Sequence, residues 1–368
     1  MIFRGRIVVS FLLLVLSFQL SAKPFRRVLV LAGGSLSTAT YTSIAEHMKM
    51  YGKKPDAIIA TCGSSIASVI YSSFENNREE QLRFLESSTF QNLLLSARVV
   101  MTDVFEIKKM IDPVTPKIME TMFDQYILEA PTDIRLPEAI DEFPTRGTRL
   151  IIGAGKILFQ PGRGVPNSKY LFQETYFTDS TTAKYLRGKN SAIAKMYPNS
   201  RVMPTIGVKT GVEPMRAARA SISDPILINP GIVDGSYYLT GGINLYPIEM
   251  AKELADEVYV TYPLKFKQYQ SDIVLNSFGY SALDRQKKVS EMTGVHWIDL
   301  TGRDESFEPS AFMLFTVKSG VPKNPSTFAR KTEGMWNFGW RKAYEAVTQE
   351  DPKNPTKHIK KLLKDQKA

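Results

Sequence analysis

The chain has 368 residues, with 47 Lys and Arg against 37 Asp and Glu, three histidines and one cysteine. One cysteine excludes an intrachain disulfide, and with so few histidines it argues against a structural zinc site. The formal charge of +10 comes with no nucleic-acid-binding motif, so nucleic acid is not an expected partner.

The first 22 residues place Arg4 and Arg6 before the apolar run Ile7–Phe18, then end Ser21-Ala22. A charged start, a short apolar middle and small residues at the end read as a cleaved signal peptide. The run is short for a membrane span, which takes roughly 20 apolar residues, and the alternative reading is an uncleaved N-terminal anchor. The expected mature protein is exported, to a periplasm or outside the cell. It keeps about 345 residues, enough for a packed core without disulfides. Residues 23–350 are read as one α/β domain with helical C-terminal additions, and 351–368 as a basic tail. Losing Arg4 and Arg6 takes the charge from +10 to +8. Six lysines between Lys353 and Lys367 face only Asp365. That tail is read as solvated, with an anionic membrane surface as its candidate partner.

Arg27–Leu31 is a short apolar strand running into Gly33-Gly34, and Thr40–Tyr51 follows with helical spacing until Gly52 stops it. Asp56–Thr61 is a second buried strand, leading into a helix over Ser65–Phe74. Helices are expected at Glu79–Leu95 and Pro116–Leu128, then strands at Thr148–Ala154 and Tyr170–Thr175. Pro214–Ser221 is read as a helix, and Ile226–Asn229 and Ser236–Thr240 as strands. Ile248–Leu254 is read as a helix leading into strand Glu257–Thr261. Past Pro263 the pattern loosens: a helix over Phe266–Lys288, a strand at His296–Leu300, a loop over Gly302–Arg330 and a helix over Gly334–Val347. Strands separated by helices predict a mainly parallel central sheet with helices on both faces.

Three stretches carry the chemistry. Strand RVLVL is followed by AGGSLSTAT (Ala32–Thr40). Asp56–Ala67 reads DAIIATCGSSIA: a strand, a turn of small residues, then a helix. Met215–Pro247 contains Ala-x-x-Ala-Ser-x-x-x-Pro (Ala217–Pro225), a hairpin, and Gly-Gly-x-Asn-x-x-Pro (Gly241–Pro247). In order and spacing these pieces resemble the patatin-like phospholipase family over Arg27–Pro263. The resemblance implies a three-layer α/β fold, an acyl-binding cleft and a lipid or acyl ester as the natural ligand.

The resemblance also implies roles, position by position. Gly33, Gly34 and Ser35 fall on the oxyanion loop, where backbone N–H groups hold the negative oxygen. Two glycines are kept, and Ser35 stands where a third is usual. Ala60-Thr61-Cys62-Gly63-Ser64 falls on the Gly-x-Ser-x-Gly elbow. This puts Cys62 at the nucleophile position, with Ala60, Gly63 and Ser64 as the small residues a strained turn needs. A thiol at a helix N-terminus is expected to be shifted toward thiolate; the alternative reading of Cys62 is a small buried hydrophobe inside a retained turn. A rival register over Gly63–Ala67 makes Ser65 the nucleophile. The family's catalytic Asp falls on Thr240, followed by Gly241-Gly242, and a threonine hydroxyl cannot act as a general base at neutral pH. Asp234-Gly235 is read as a hairpin turn and not as the displaced Asp-Gly motif.

His47, His296 and His358 form no recognisable pairing with Cys62. Neither G-x-G-x-x-G nor a P-loop occurs, so no cofactor is expected. Because all three catalytic pieces depart together, the reading favoured by sequence is an exported patatin-like protein of impaired catalysis that binds lipid or a partner. The alternative is an acyl-ester hydrolase or acyltransferase with Cys62 as nucleophile.

Overall fold

A computed structural model describes residues 23–33, 37–75, 77–100, 126–134, 136, 138–262, 268–302 and 320–348. The signal-peptide stretch, Gly34, Ser35, most of the expected helix Pro116–Leu128, His358 and the basic tail lie outside the described residues.

The frame is set by two short strands that are apolar over Val28–Leu31 and Ala57–Ala60. β1 (Phe25–Leu31) and β2 (Ala57–Thr61) pair in parallel, Val28 opposite Ala57 and Leu31 opposite Ala60. Alternation along them divides the core. Leu29, Leu31, Ile58 and Ala60 join one apolar cluster, while Val28, Val30, Ala57 and Ile59 join another. Both faces are buried, as expected of a parallel sheet roofed on each side.

Helices α1 (Thr38–Met50) and α2 (Ser64–Ser73) follow these strands onto the first face. There they meet α3 (Arg78–Glu86), α4 (Ser88–Leu95) and the last helix. Two short strands, β3 (Arg98–Val99) and β4 (Leu128–Glu129), form a separate pair. β5 (Arg149–Ile157) and β6 (Phe172–Thr178) extend the main sheet as an antiparallel pair. Next come α5 (Ser180–Leu186), α6 (Ala192–Met196), β7 (Gly207–Lys209) and α7 (Pro214–Ser221). The hairpin β8 (Gly231–Val233) and β9 (Ser236–Leu239) joins the sheet through β5. Its turn has positive φ at Asp234 (48°) and Gly235 (71°), the pair of left-handed residues that a tight hairpin requires.

The chain then covers the second face with α8 (Ile248–Leu254), returns as β10 (Ala255–Tyr262), and adds α9 (Gln268–Phe278), α10 (Ala282–Ser290) and β11 (His296–Asp299). Helix α11 (Pro325–Val347) closes the first face against α1, and the Thr40 hydroxyl donates to the Met335 carbonyl at 3.0 Å. The main sheet runs β11-β10-β1-β2-β5-β6-β7. It is parallel from β11 to β5 and between β6 and β7, with β5–β6 antiparallel. This is a three-layer α/β architecture with a mainly parallel sheet, as the alternation of elements implied.

Four expectations change. Glu79–Leu95 is two helices, because Ser87 takes an extended backbone (ψ 155°) and its hydroxyl caps the second through the Phe90 N–H. Phe266–Lys288 likewise divides at Gly279 (φ 79°), and Ser281 caps α10. Ile226–Asn229 is not a strand: Leu227 and Ile228 donate back to the Asp224 carbonyl, leaving one isolated bridge to Leu128. The last helix starts nine residues before Gly334, where the Asn324 side chain accepts from the Thr327 N–H and Pro325 takes the first helical position.

Candidate functional site

The C-terminal ends of β1 and β2 lie side by side, which is where parallel α/β sheets place their ligands. β2 ends at Thr61, Gly63 already has helical angles, and α2 begins at Ser64. The residue between strand and helix is Cys62, with φ 54°. A non-glycine residue held in this left-handed region is strained by about 1–2 kcal/mol. The strand-turn-helix therefore has the backbone of a nucleophile elbow with cysteine at its apex.

Its neighbours hold that turn in place. The Ser64 hydroxyl accepts from the Thr61 N–H (3.2 Å) and lies 2.6 Å from the Leu31 carbonyl, tying the elbow to β1. The Cys62 N–H donates to the Ser221 hydroxyl (2.8 Å), which donates to the Gly153 carbonyl (2.6 Å). Ala60 is fully buried in β2. Gly33 and Gly241 crowd the turn from two sides. A Cβ on Gly33 would lie 2.6 Å from the Cys62 Cβ, and one on Gly241 would lie 2.7 Å from the Cys62 nitrogen. Both positions accept only glycine without displacing the elbow. Ser65, the rival nucleophile, sits in α2 fully buried, its hydroxyl 2.5 Å from the Cys62 carbonyl. The left-handed backbone is at Cys62.

Of the stretch that the sequence resemblance reads as an oxyanion loop, Gly33 lies within the described residues, and its N–H donates to the Thr61 hydroxyl at 3.1 Å. That group is committed to the strand ends. A donor next to the sulfur is the Gly63 N–H, which faces the Cys62 thiol. Gly63 follows Cys62 directly, the position that supplies one oxyanion donor where such an elbow carries a nucleophile.

The structure brings Thr240 to the thiol. It is buried at the end of β9, its hydroxyl accepts from the Gly242 N–H (2.9 Å), and it opens the short 3-10 turn Gly241–Asn244. The structure also brings a residue that the sequence reading passed over. Asp224, in the turn after α7, places its two carboxyl oxygens 3.8 and 3.7 Å from the Cys62 sulfur. Its turn is strained: Ile226 has φ 70°, an outlier for a β-branched residue. The signal was present in Ser221-Ile222-Ser223-Asp224-Pro225. An acidic residue falls within the same block whose expected acid is missing at Thr240.

The electrostatics overturn the expectation of a thiolate. Burial pushes the Cys62 thiol well up, and the neighbouring Asp224 charge adds to it; the Gly63 N–H and the Thr240 hydroxyl pull the other way and lose. Partial positive charge at a helix N-terminus is worth at most about 2 kcal/mol, less than desolvation of a sulfur anion beside a carboxylate. Burial also raises the Asp224 carboxyl, against the hydrogen bonds from Thr240 and Cys62. The resting pair is a protonated thiol against a carboxyl group. His47 is fully buried among Tyr51, Trp340 and Tyr344, and His296 stacks on Tyr259. Neither makes a hydrogen bond to Cys62.

Fold and site together define a three-layer α/β protein with a cysteine-bearing elbow. No protein-family model and no curated protein sequence matches the chain. Among solved structures it is similar to VipD from Legionella pneumophila, at 11% identity and TM-score 0.32 over 89% of this chain and 68% of that one. It is also similar to the type III effector protein ExoU, at 12% identity and TM-score 0.30 over 89% of this chain and 54% of that one. The chemistry is argued from this chain's own residues.

Proposed function

We propose that the protein is a thiol-dependent acyl-transfer enzyme, acting on a lipid or other acyl ester through Cys62. The observation that carries this is the φ of 54° at Cys62. Strain of this kind persists where a nucleophile must be presented, and glycine would remove it at no steric cost. In the reaction the sulfur attacks the ester carbonyl carbon, the alcohol leaves, and the thioester on Cys62 passes its acyl group to water or to a second alcohol. Export through Met1–Ala22 and contact of the basic tail with an anionic membrane belong to the same proposal. Both would place the enzyme where acyl lipids are.

One observation favours the second reading, a patatin-like protein that binds lipid or a partner without turnover. Cys62 is only 9% exposed, and burial holds its thiol protonated. The two readings separate on hydrolysis of a short-chain nitrophenyl ester by the purified protein and by Cys62→Ala. Acyl transfer predicts turnover lost in the variant and an acyl adduct on Cys62 visible by intact mass spectrometry. No turnover and no adduct would leave the binding reading.

A further inference from the structure

We infer that Asp224 is the proton acceptor for Cys62, taking from the α7–β8 connection the role that the family resemblance gives to the position of Thr240, and that the Thr240 hydroxyl positions it. This rests on the acyl-transfer reading above. The two positions are neighbours in space: the Thr240 N–H donates to the carbonyl of Ser223 at 3.0 Å, the residue just before Asp224. Both side chains lie against the Cys62 thiol. Loss of the acid from one position is matched by an acid at the other.

Asp224 is not explained by a structural duty of its side chain. Asp179 caps α5 by accepting from the Thr181 and Thr182 N–H groups, and Asp56 accepts from the Arg27 N–H. By contrast, the Asp224 carboxyl makes no ion pair among the described residues, and the groups that touch it are Cys62 and Thr240. Its aim is fixed by its backbone, whose carbonyl accepts from Leu227 (3.1 Å) and Ile228 (2.9 Å). The Thr240 oxygen already accepts from Gly242, which leaves its one hydrogen to point to the Asp224 carboxylate or to the Cys62 sulfur.

Each step balances. The Cys62 Sγ–H proton passes to an Asp224 oxygen as the C–S bond forms. The tetrahedral adduct then expels the alcohol, which takes that proton, leaving a thioester and an ionised Asp224. In the second half Asp224 takes a proton from water or an acceptor alcohol as the new C–O bond forms. The C–S bond breaks, and the sulfur recovers the proton.

The test compares wild type, Cys62→Ala, Asp224→Asn and Thr240→Val for nitrophenyl ester turnover, iodoacetamide alkylation of Cys62 at pH 8, and thermal midpoint. A general base contributes about 10²–10⁴-fold, so Asp224→Asn is expected to lose at least about 100-fold in turnover. Its alkylation rate should rise several-fold, because the carboxylate that disfavours the thiolate is gone. Thr240→Val is expected to lose less and to move the acid limb of the pH–rate profile upward. A merely structural Asp224 would move turnover and thermal midpoint down together, and that result overturns the inference. So does unchanged turnover, or a loss of turnover with no gain in alkylation. If wild type has no turnover, or Cys62→Ala keeps it, the acyl-transfer reading fails and takes the inference with it. Cys62-dependent turnover indifferent to Asp224→Asn sinks the inference alone.

Discussion

Asp224 reaches the sulfur of Cys62 to within 3.7 Å across a sequence separation of 162 residues. The two are joined through the chain by the elbow at one end of β2 and the strained turn after α7. Each backbone carries an unfavourable residue, Cys62 at φ 54° and Ile226 at φ 70°. Two strained residues on either side of one contact indicate a geometry held at a cost in stability.

The strain at Cys62 is measurable without any substrate. Cys62→Ala and Cys62→Gly both remove the sulfur, but only glycine tolerates the left-handed backbone freely. Cys62→Gly is expected to be more stable than Cys62→Ala by about 1 kcal/mol in chemical denaturation. Equal stability, or a more stable alanine variant, would show that the turn relaxes away from φ 54°.

Placing an acid at position 240, where the sequence resemblance puts one, is a second test, and the presence of Asp224 reverses its naive outcome. Thr240→Asp alone sets two carboxyl groups side by side, where one is held protonated by the other. Ester turnover is expected to fall below wild type in Thr240→Asp and to recover in Thr240→Asp combined with Asp224→Asn. Cys62→Ser without any change at 240 should keep some turnover, since the carboxylate partner is already in place. A gain from Thr240→Asp alone would place the acid where the sequence resemblance puts it.

Much of this site was legible in the sequence, because most of it is local. The small residues Ala60, Gly63 and Ser64 mark a strand-turn-helix, and the Gly-Gly after Thr240 marks the second turn. Both come to the same end of the sheet. Asp224 is visible in sequence as an acid within Ser221–Pro225 but not as a partner of Cys62, because its approach depends on how α7 and the β8–β9 hairpin pack over β5. The apolar run after it reads as a strand, whereas Leu227 and Ile228 turn back to bond the Asp224 carbonyl. The ionisation state of Cys62 is hidden from the sequence for a related reason. A helix N-terminus is visible in sequence, but burial and a carboxylate from a distant segment are not, and here they dominate.

Gly241 tests the support of the elbow. A Cβ there would lie 2.7 Å from the Cys62 nitrogen, 2.8 Å from the Gly153 carbonyl and 2.8 Å from the Ser221 hydroxyl. Two of these are backbone atoms in the elbow and in β5, which cannot swing aside as a side chain would. Gly241→Ala is expected to cost about 1–3 kcal/mol through overpacking, and to abolish turnover by pushing the Cys62 amide off Ser221. A fully stable and active alanine variant would mean that the 3-10 turn Gly241–Asn244 is free to lift away.

His47 supplies an acid sensitivity on the first face of the sheet. Its ring is fully buried, stacked on Tyr51 at 4.2 Å and edge-on to Trp340 at 4.3 Å. Among the described residues neither ring nitrogen has a hydrogen-bond partner. Burial lowers its pKa from 6.5 to about 4, and the nearby Arg78 charge, itself over the Trp340 ring, adds to that. The unfolded chain therefore binds the proton first as pH falls. Stability from this group is complete above about pH 6.5, declines as the pH drops toward 4, and changes no further once both states are protonated. Thermal midpoints between pH 7.5 and 4.5 should fall more steeply for wild type than for His47→Phe, which keeps an aromatic ring between Tyr51 and Trp340 without the titration. Parallel curves for the two proteins would show that His47 gains a proton in the folded state as readily as in the unfolded one, and that the packing of α11 on α1 opens to admit it.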